Sequence, residues 1–283
     1  MNMKTVYLNK FMSSVVTELE MNGQYGTAHV CGSVLRSVMA FGGEGLPVSG
    51  ITPLWLKAYE GYLLHKGGKG LAWNTVSTYM RMLQAVYNRA VARKLAAFIP
   101  HQFRDVFTGR KADHRRVLER DDMQKLLVER EPDITSPGMA WARACLELMF
   151  RFHGMPFVDL AHLRKSDLKD GYLTLRRRKT GMPLSARVDG RAMQLLERYR
   201  NRDDTSPYLL CFLDGNLEGM AAYRDYQRIL RLLNSRLRAL ALWKKVQGKV
   251  TSYSARHTWA TVGRYCHIPI EVISEGLGHA SVT

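Results

Sequence analysis

Where the apolar residues alternate, and where they do not, decides the fold class of this chain. Most of the sequence repeats with a helical period, and one stretch, 171–188, alternates with period two. Residues 8–21 carry Phe11, Val15, Val16 and Leu19 at helical spacing and stop at Asn22-Gly23. A second helix is expected over 28–41, ended by Gly42-Gly43. A third follows Thr52-Pro53, a capping residue with proline at the first helical position, and ends before Gly67-Gly68. Residues 74–94 are the most legible. Val76, Leu83, Tyr87, Ala90 and Val91 make an apolar stripe, opposite a polar stripe of Ser77, Arg81, Gln84 and Asn88. Further helices are expected over 120–130, 139–152, 191–200, 223–242, 254–266 and 270–277. Between them, Tyr172-Leu173-Thr174-Leu175-Arg176, a turn at Lys179-Thr180-Gly181, and Leu184 to Val188 read as a β-hairpin. The expected fold is mainly α with a small β-sheet, a helical domain followed by a mixed α+β domain.

The joint is placed at Thr108–Arg116, a polar segment with a glycine between two helical patterns. The expected domains are 1–107 and 117–283, with 108–116 as linker. Charge is the second constraint. The 283 residues hold 42 Lys and Arg against 25 Asp and Glu, a net of +17. Residues 1–112 hold 13 and 5 of these, and residues 113–283 hold 29 and 20. Both parts are therefore basic, which suits a clamp on a polyanion, with a nucleic acid as the first partner class and an anionic membrane surface as the second. On the 223–242 helix, Arg224, Arg228, Arg231 and Arg238 fall within about 80° of arc. Leu230, Leu233, Leu237 and Leu240 lie on the far side. Such a stripe is either a solvated face or a row of phosphate contacts.

Other classes drop out. No apolar run approaches the roughly 18 residues of a membrane span. No apolar block follows the charged start, so no signal peptide is expected. Cys31, Cys145, Cys211 and Cys266 form no C-x-x-C pair. They read as reduced, mostly buried thiols, fitting a cytoplasmic protein without zinc. Gly67-Gly68-Lys69-Gly70 lacks the spacing of a phosphate-binding loop. Lys179-Thr180-Gly181 has no partner motif at the distance a β-lactamase needs.

Chemistry concentrates at the C-terminus, in Thr251-Ser252-Tyr253-Ser254-Ala255-Arg256-His257-Thr258-Trp259-Ala260-Thr261 and Gly276-Leu277-Gly278-His279. Arg256 falls in the first turn of a helix, where free N–H groups and the dipole favour an anion, and its planar fork matches phosphate oxygens. The following helix, opened by Pro269 and closed by Gly276 and Gly278, delivers His279 at its end. The pattern reads either as an oxyanion site built from two helix termini or as ordinary helix-end residues.

These two boxes resemble the tyrosine recombinase (phage integrase) family. So do Gly154-Met155-Pro156-Phe157-Val158-Asp159-Leu160, which is similar to the family's first arginine box, and Arg178-Lys179-Thr180-Gly181, which is similar to its hairpin lysine. The flavour of the boxes resembles integrases of mobile elements from Bacteroides-like bacteria. The resemblance implies a core-binding domain over 1–107 and a catalytic domain over 117–283. It implies DNA cleavage and rejoining through a 3′-phosphotyrosine link, with no cofactor or metal. Arg256 matches the second arginine, His279 the histidine and Lys179 the lysine. Tyr253 stands where the family's earlier histidine is. Pro156 stands where the first arginine is, and Arg151 and Arg178 are the two candidates to replace it. The family's nucleophilic tyrosine lies beyond the L-G-H histidine. The sequence ends at Thr283 before that context recurs, so a chain lacking the nucleophile, and inactive as given, is expected.

The implied partner is double-stranded DNA, contacted by Ser77, Arg81, Arg224, Arg228 and Arg231. Self-association into a tetramer on DNA is expected, with accessory DNA-bending proteins as further candidate partners. The rival expectation is a DNA-binding regulator or decoy that kept the scaffold and lost the chemistry, favoured by Pro156 and by the missing tyrosine. A related DNA-relaxing topoisomerase explains fewer residues.

Overall fold

The structure, a computed structural model, describes residues 5–111, 118–127 and 136–278. The chain divides into two compact units, 1–113 and 114–283.

Among its described residues the first unit holds four α-helices: α1 (Leu8–Met21), α2 (Tyr25–Gly42), α3 (Pro53–His65) and α4 (Trp73–Ala92). Each buries the stripe its sequence offers. Leu8, Met12, Val15 and Leu19 face inward from α1, and Cys31, Val34 and Val38 from α2. Leu56, Tyr59 and Leu63 do so from α3, and Val76, Met80, Leu83 and Tyr87 from α4. Thr52 Oγ1 accepts the Trp55 N–H at 3.1 Å and so caps α3, with Pro53 at its first position. The segment after α4 returns along α3 and α4 and is held by their polar side chains. Buried Glu60 accepts the Phe107 N–H at 2.6 Å and the Lys57 ammonium at 2.7 Å. Asn74 exchanges two hydrogen bonds with the Lys111 backbone at 3.0 and 2.9 Å. The Ser77 hydroxyl donates to the Gly109 carbonyl at 2.6 Å. Ser77 is 1% exposed, which corrects the reading that it faces DNA. Helical periodicity places it on a polar stripe, and the returning chain covers that part of the stripe. Arg81 stays exposed.

In the second unit, α6 (Pro137–Arg151) is the central element, packing against α5 (Arg120–Leu127), α7 (Phe157–Ala161), α8 (Gly190–Arg198), α9 (Gly219–Trp243) and α10 (Ser254–Tyr265). Residues 142–149 of α6 are all buried, the condition of a helix surrounded by others. Strands β1 (Leu168–Lys169), β2 (Tyr172–Arg176) and β3 (Pro183–Arg187) form an antiparallel sheet in sequence order, with Leu173 opposite Ala186 and Leu175 opposite Leu184. A final helix, α11 (Ile270–Gly276), packs on α10. The observed architecture is thus mainly helical with one small sheet. Among the described residues, α7 and β1 escaped the sequence reading, as did single 3₁₀ turns at Val48–Gly50 and Lys165–Asp167, because two to five residues hold too little of a period to register. The expected continuation of α5 over 128–130 lies outside the described residues. Cys31 and Cys145 are buried, but Cys211 and Cys266 are exposed, against the expectation of mostly buried thiols. Among the described residues, no helix is long and apolar enough to cross a membrane.

Candidate active site

Three short segments of the second unit meet around Arg256. The first is the start of α10. Arg256 is its third residue and only 9% exposed, on a first turn whose Ser254 and Ala255 are also buried, in a helix that packs on α6. Burial, and then the nearby Arg177 charge, push the acidity of the Arg256 guanidinium up, lowering its pKa from the usual arginine value. The second segment is the turn after α6. There the Gly154 carbonyl accepts from Arg256 Nη1 at 3.2 Å. Gly154 has φ +67°, and a Cβ on it would stand 2.9 Å from Arg256 Cα, so this approach requires glycine. The third is the end of α11. The Leu277 carbonyl accepts from Arg256 Nη2 at 2.9 Å and also from Arg177 Nη1. A helix C-terminal carbonyl carries partial negative charge, so two guanidinium groups are drawn to it.

Arg177 is the residue that motif matching missed. It is 6% exposed, and its Nε donates to Asp159 Oδ2 at 3.0 Å. Asp159, on α7, is 2% exposed and also accepts the Arg178 backbone N–H at 3.0 Å. One buried carboxylate therefore fixes the base of the hairpin turn and the plane of the Arg177 guanidinium. The signal was present in the strand alternation. Leu173, Leu175 and Arg177 share one face at period two, and Leu173 is fully buried. At the tip of the same turn, Gly181 takes φ +70°, and its N–H bonds the Arg177 carbonyl at 2.8 Å. This leaves Lys179 and Thr180 exposed beside the site.

Arg177, Lys179, Tyr253 and Arg256 line one cavity of about 350 Å³, together with Pro156, Asp159 and Tyr226. The structure thus brings together three of the expected residues, Lys179, Tyr253 and Arg256. It does not bring Arg151. At the end of α6, Arg151 pairs with Glu147 at 3.0 Å and Asp189 at 2.6 Å and lines a different cavity with Phe150 and Trp259. The Arg178 side chain is exposed, and its charge falls near His162 and Tyr226. Neither candidate for the place left by Pro156 lines the cavity, whereas Arg177 does. Tyr253 is 46% exposed, its ring 5.2 Å from that of His257. A second tyrosine, Tyr226 of α9, also lines the cavity, and burial pushes its phenol up to about 12. His279 lies outside the described residues.

On α9 itself, Arg224, Arg228 and Arg231 are exposed on one face. Arg228 pairs with Asp225 at 2.7 Å, which offsets its charge.

Comparison with known proteins bears on the fold. Residues 7–104 match the family described as the Phage integrase SAM-like domain. No curated protein sequence matches the chain. A solved lambda integrase dimer bound to a COC′ core site is similar over 98% of this chain and 75% of its own, with TM-score 0.63 and 16% identity. A lambda integrase tetramer bound to a Holliday junction covers 99% of this chain and 79% of its own, with TM-score 0.65 and 16% identity. The Tn1549 transposon integrase in complex with transposon right end DNA covers 98% and 92%, with TM-score 0.67 and 15% identity. The chain has the fold of these integrases along nearly its whole length.

Proposed function

We propose that the chain is a site-specific DNA recombinase of the tyrosine type, acting on double-stranded DNA in assemblies of several copies. The observation that carries this reading is the meeting of Arg177, Arg256 and Lys179 in one cavity. Two guanidinium forks oriented by carbonyl and carboxylate oxygens suit the non-bridging oxygens of a phosphodiester, whose charge grows as a fifth oxygen approaches phosphorus. Arg177 stands in for the arginine that Pro156 lacks. The exposed Lys179 gives its proton to the departing 5′ oxygen as the P–O5′ bond breaks. The attacking phenolate of a tyrosine forms the new P–O bond. The 3′-phosphotyrosine so made conserves the energy, and attack by a 5′ hydroxyl rejoins the strand.

The fold supports the reading through integrases solved on DNA as dimer and tetramer. The basic surface supports it through charge: the net of +17 and the exposed Arg81, Arg224 and Arg231 fit phosphate contacts. Of the two grounds for the regulator reading, Pro156 and the expected lack of the nucleophile, the position of Arg177 weakens the first.

The test is a nicked suicide duplex incubated with the product of the full reading frame. A covalent protein–DNA adduct on a tyrosine is expected, and Arg256→Ala lowers its rate about 10²–10³-fold while duplex binding persists. Salt-sensitive duplex binding without any adduct would instead establish the regulator.

A further inference from the structure

The cavity around the two arginines is larger and more apolar than a phosphate requires. Its volume of about 350 Å³ lies at the small end of the roughly 300–1,000 Å³ of pockets that enclose small organic ligands. Part of its lining is apolar: Pro156 and Phe157 at the start of α7, and Tyr226 and Leu230 one turn apart on α9. That surface is rigid before any ligand arrives. The Tyr226 ring stacks on Phe157 with centroids 6.2 Å apart and planes 23° apart, and the His162 ring lies 5.4 Å from it. Phe157 in turn stacks on Phe212 at 6.3 Å. A side chain held this way loses little freedom when something packs against it.

We propose that this apolar part of the cavity seats the deoxyribose, with its base, of the nucleotide joined to the phosphate that Arg177 and Arg256 hold. The inference rests on the reading of the cavity as a phosphodiester site and adds to it a subsite for the neighbouring nucleoside. Tyr226 and Leu230 are its positioning residues. A phosphate held by two forks can still pivot about its ester bonds. Fixing the attached sugar stops that rotation and sets the P–O5′ bond at one angle to the attacking group, which is where orientation contributes to rate. The hydrocarbon part of the Tyr226 ring that lines the cavity provides the contact, so its hydroxyl is dispensable.

The test is a ³¹P NMR titration of the 283-residue chain with three probes: inorganic phosphate, 2-deoxyribose 5-phosphate and thymidine 5′-monophosphate. The two sugar phosphates are expected to bind about tenfold more tightly than inorganic phosphate, the gain from covering one sugar face with apolar surface. Tyr226→Ala and Leu230→Asn should each reduce that advantage to less than twofold while inorganic phosphate still binds, which also shows that each variant is folded. Tyr226→Phe should keep the full advantage. Equal binding of all three probes by the unaltered chain would overturn the subsite, and so would an advantage that survives both Tyr226→Ala and Leu230→Asn. If Arg256→Ala leaves all three affinities unchanged, or none of the probes binds, the phosphodiester reading itself fails.

Discussion

Two groups of arginines in the second unit carry the same net charge, three arginines with two carboxylates and two arginines with one, and differ in how they hold it. In one, Arg143, Arg151 and Arg191 converge on the buried carboxylate of Glu147, and Arg151 also meets Asp189. In the other, Arg177 meets Asp159, while Arg256 donates to the Gly154 and Leu277 carbonyls. A carboxylate cancels the charge it orients, and a carbonyl orients without cancelling. Burial of arginine therefore does not by itself mark a reactive site. The group around Glu147 reads as a strut of the fold. The group around Arg256 presents to a cavity one guanidinium oriented by carbonyls, Arg256, beside another oriented by a carboxylate, Arg177.

The largest expected effect that separates the two is on stability. Glu147→Ala removes the carboxylate that faces Arg143, whose side chain is fully buried, and should cost about 3–5 kcal/mol in a denaturant titration. A near-neutral result would mean that the Glu147 group is not structural. Next comes chemistry. Arg177→Ala, like Arg256→Ala, should slow adduct formation on the suicide duplex by about 10²–10³-fold. Arg151→Ala should leave it within a few-fold, and a loss as deep as that of Arg256→Ala would erase the distinction.

His162 sharpens the same comparison through pH. Burial first, and then the Arg178 charge, push its imidazole down to about 4 in the folded chain. An unfolded histidine titrates near 6.5, so between these values the unfolded chain binds the extra proton and folding weakens as pH falls. Lowering pH from 7 to 4 should remove about 3 kcal/mol of stability through this residue, with almost no contribution from it above about pH 7. His162→Gln should flatten that part of the profile, and an unchanged profile would remove His162 from the account.

Gly154→Ala puts a Cβ against the Arg256 backbone at positive φ. It should cost about 1–2 kcal/mol and slow adduct formation as well, because the Arg256 fork must shift. If stability falls and rate does not, the Gly154 carbonyl is not what orients Arg256. The smallest effect lies in the first unit. Arg81→Ala should reduce the slope of log affinity for duplex against log salt by about one. Ser77→Ala should leave the slope unchanged, since its hydroxyl is spent on Gly109. A slope that changes with Ser77 and not with Arg81 would reverse the assignment of the polar stripe of α4.

Much of the fold was legible in the sequence because its signals are local. The stripes on α1 and α4, the Thr52-Pro53 cap, the hairpin and the start of α10 each depend on residues within one or two turns of one another. Lys179 and Arg256 were legible by resemblance to known boxes, and the structure places both on one cavity. Ser77 shows the limit. Periodicity says which face of a helix a residue occupies, and nothing about whether another segment will come to lie on that face. Arg151 and Arg177 show the same limit at the site. The alternation of β2 points Arg177 inward, and the polar turn around it pointed the reading elsewhere. That Arg177 meets Asp159 and the end of α11, while Arg151 meets Glu147 and Asp189, depends on contacts between residues far apart in the chain. Local periodicity determines which side of each element is apolar. Which charges those sides bring together, and whether a carboxylate or a carbonyl orients them, is decided when the elements pack.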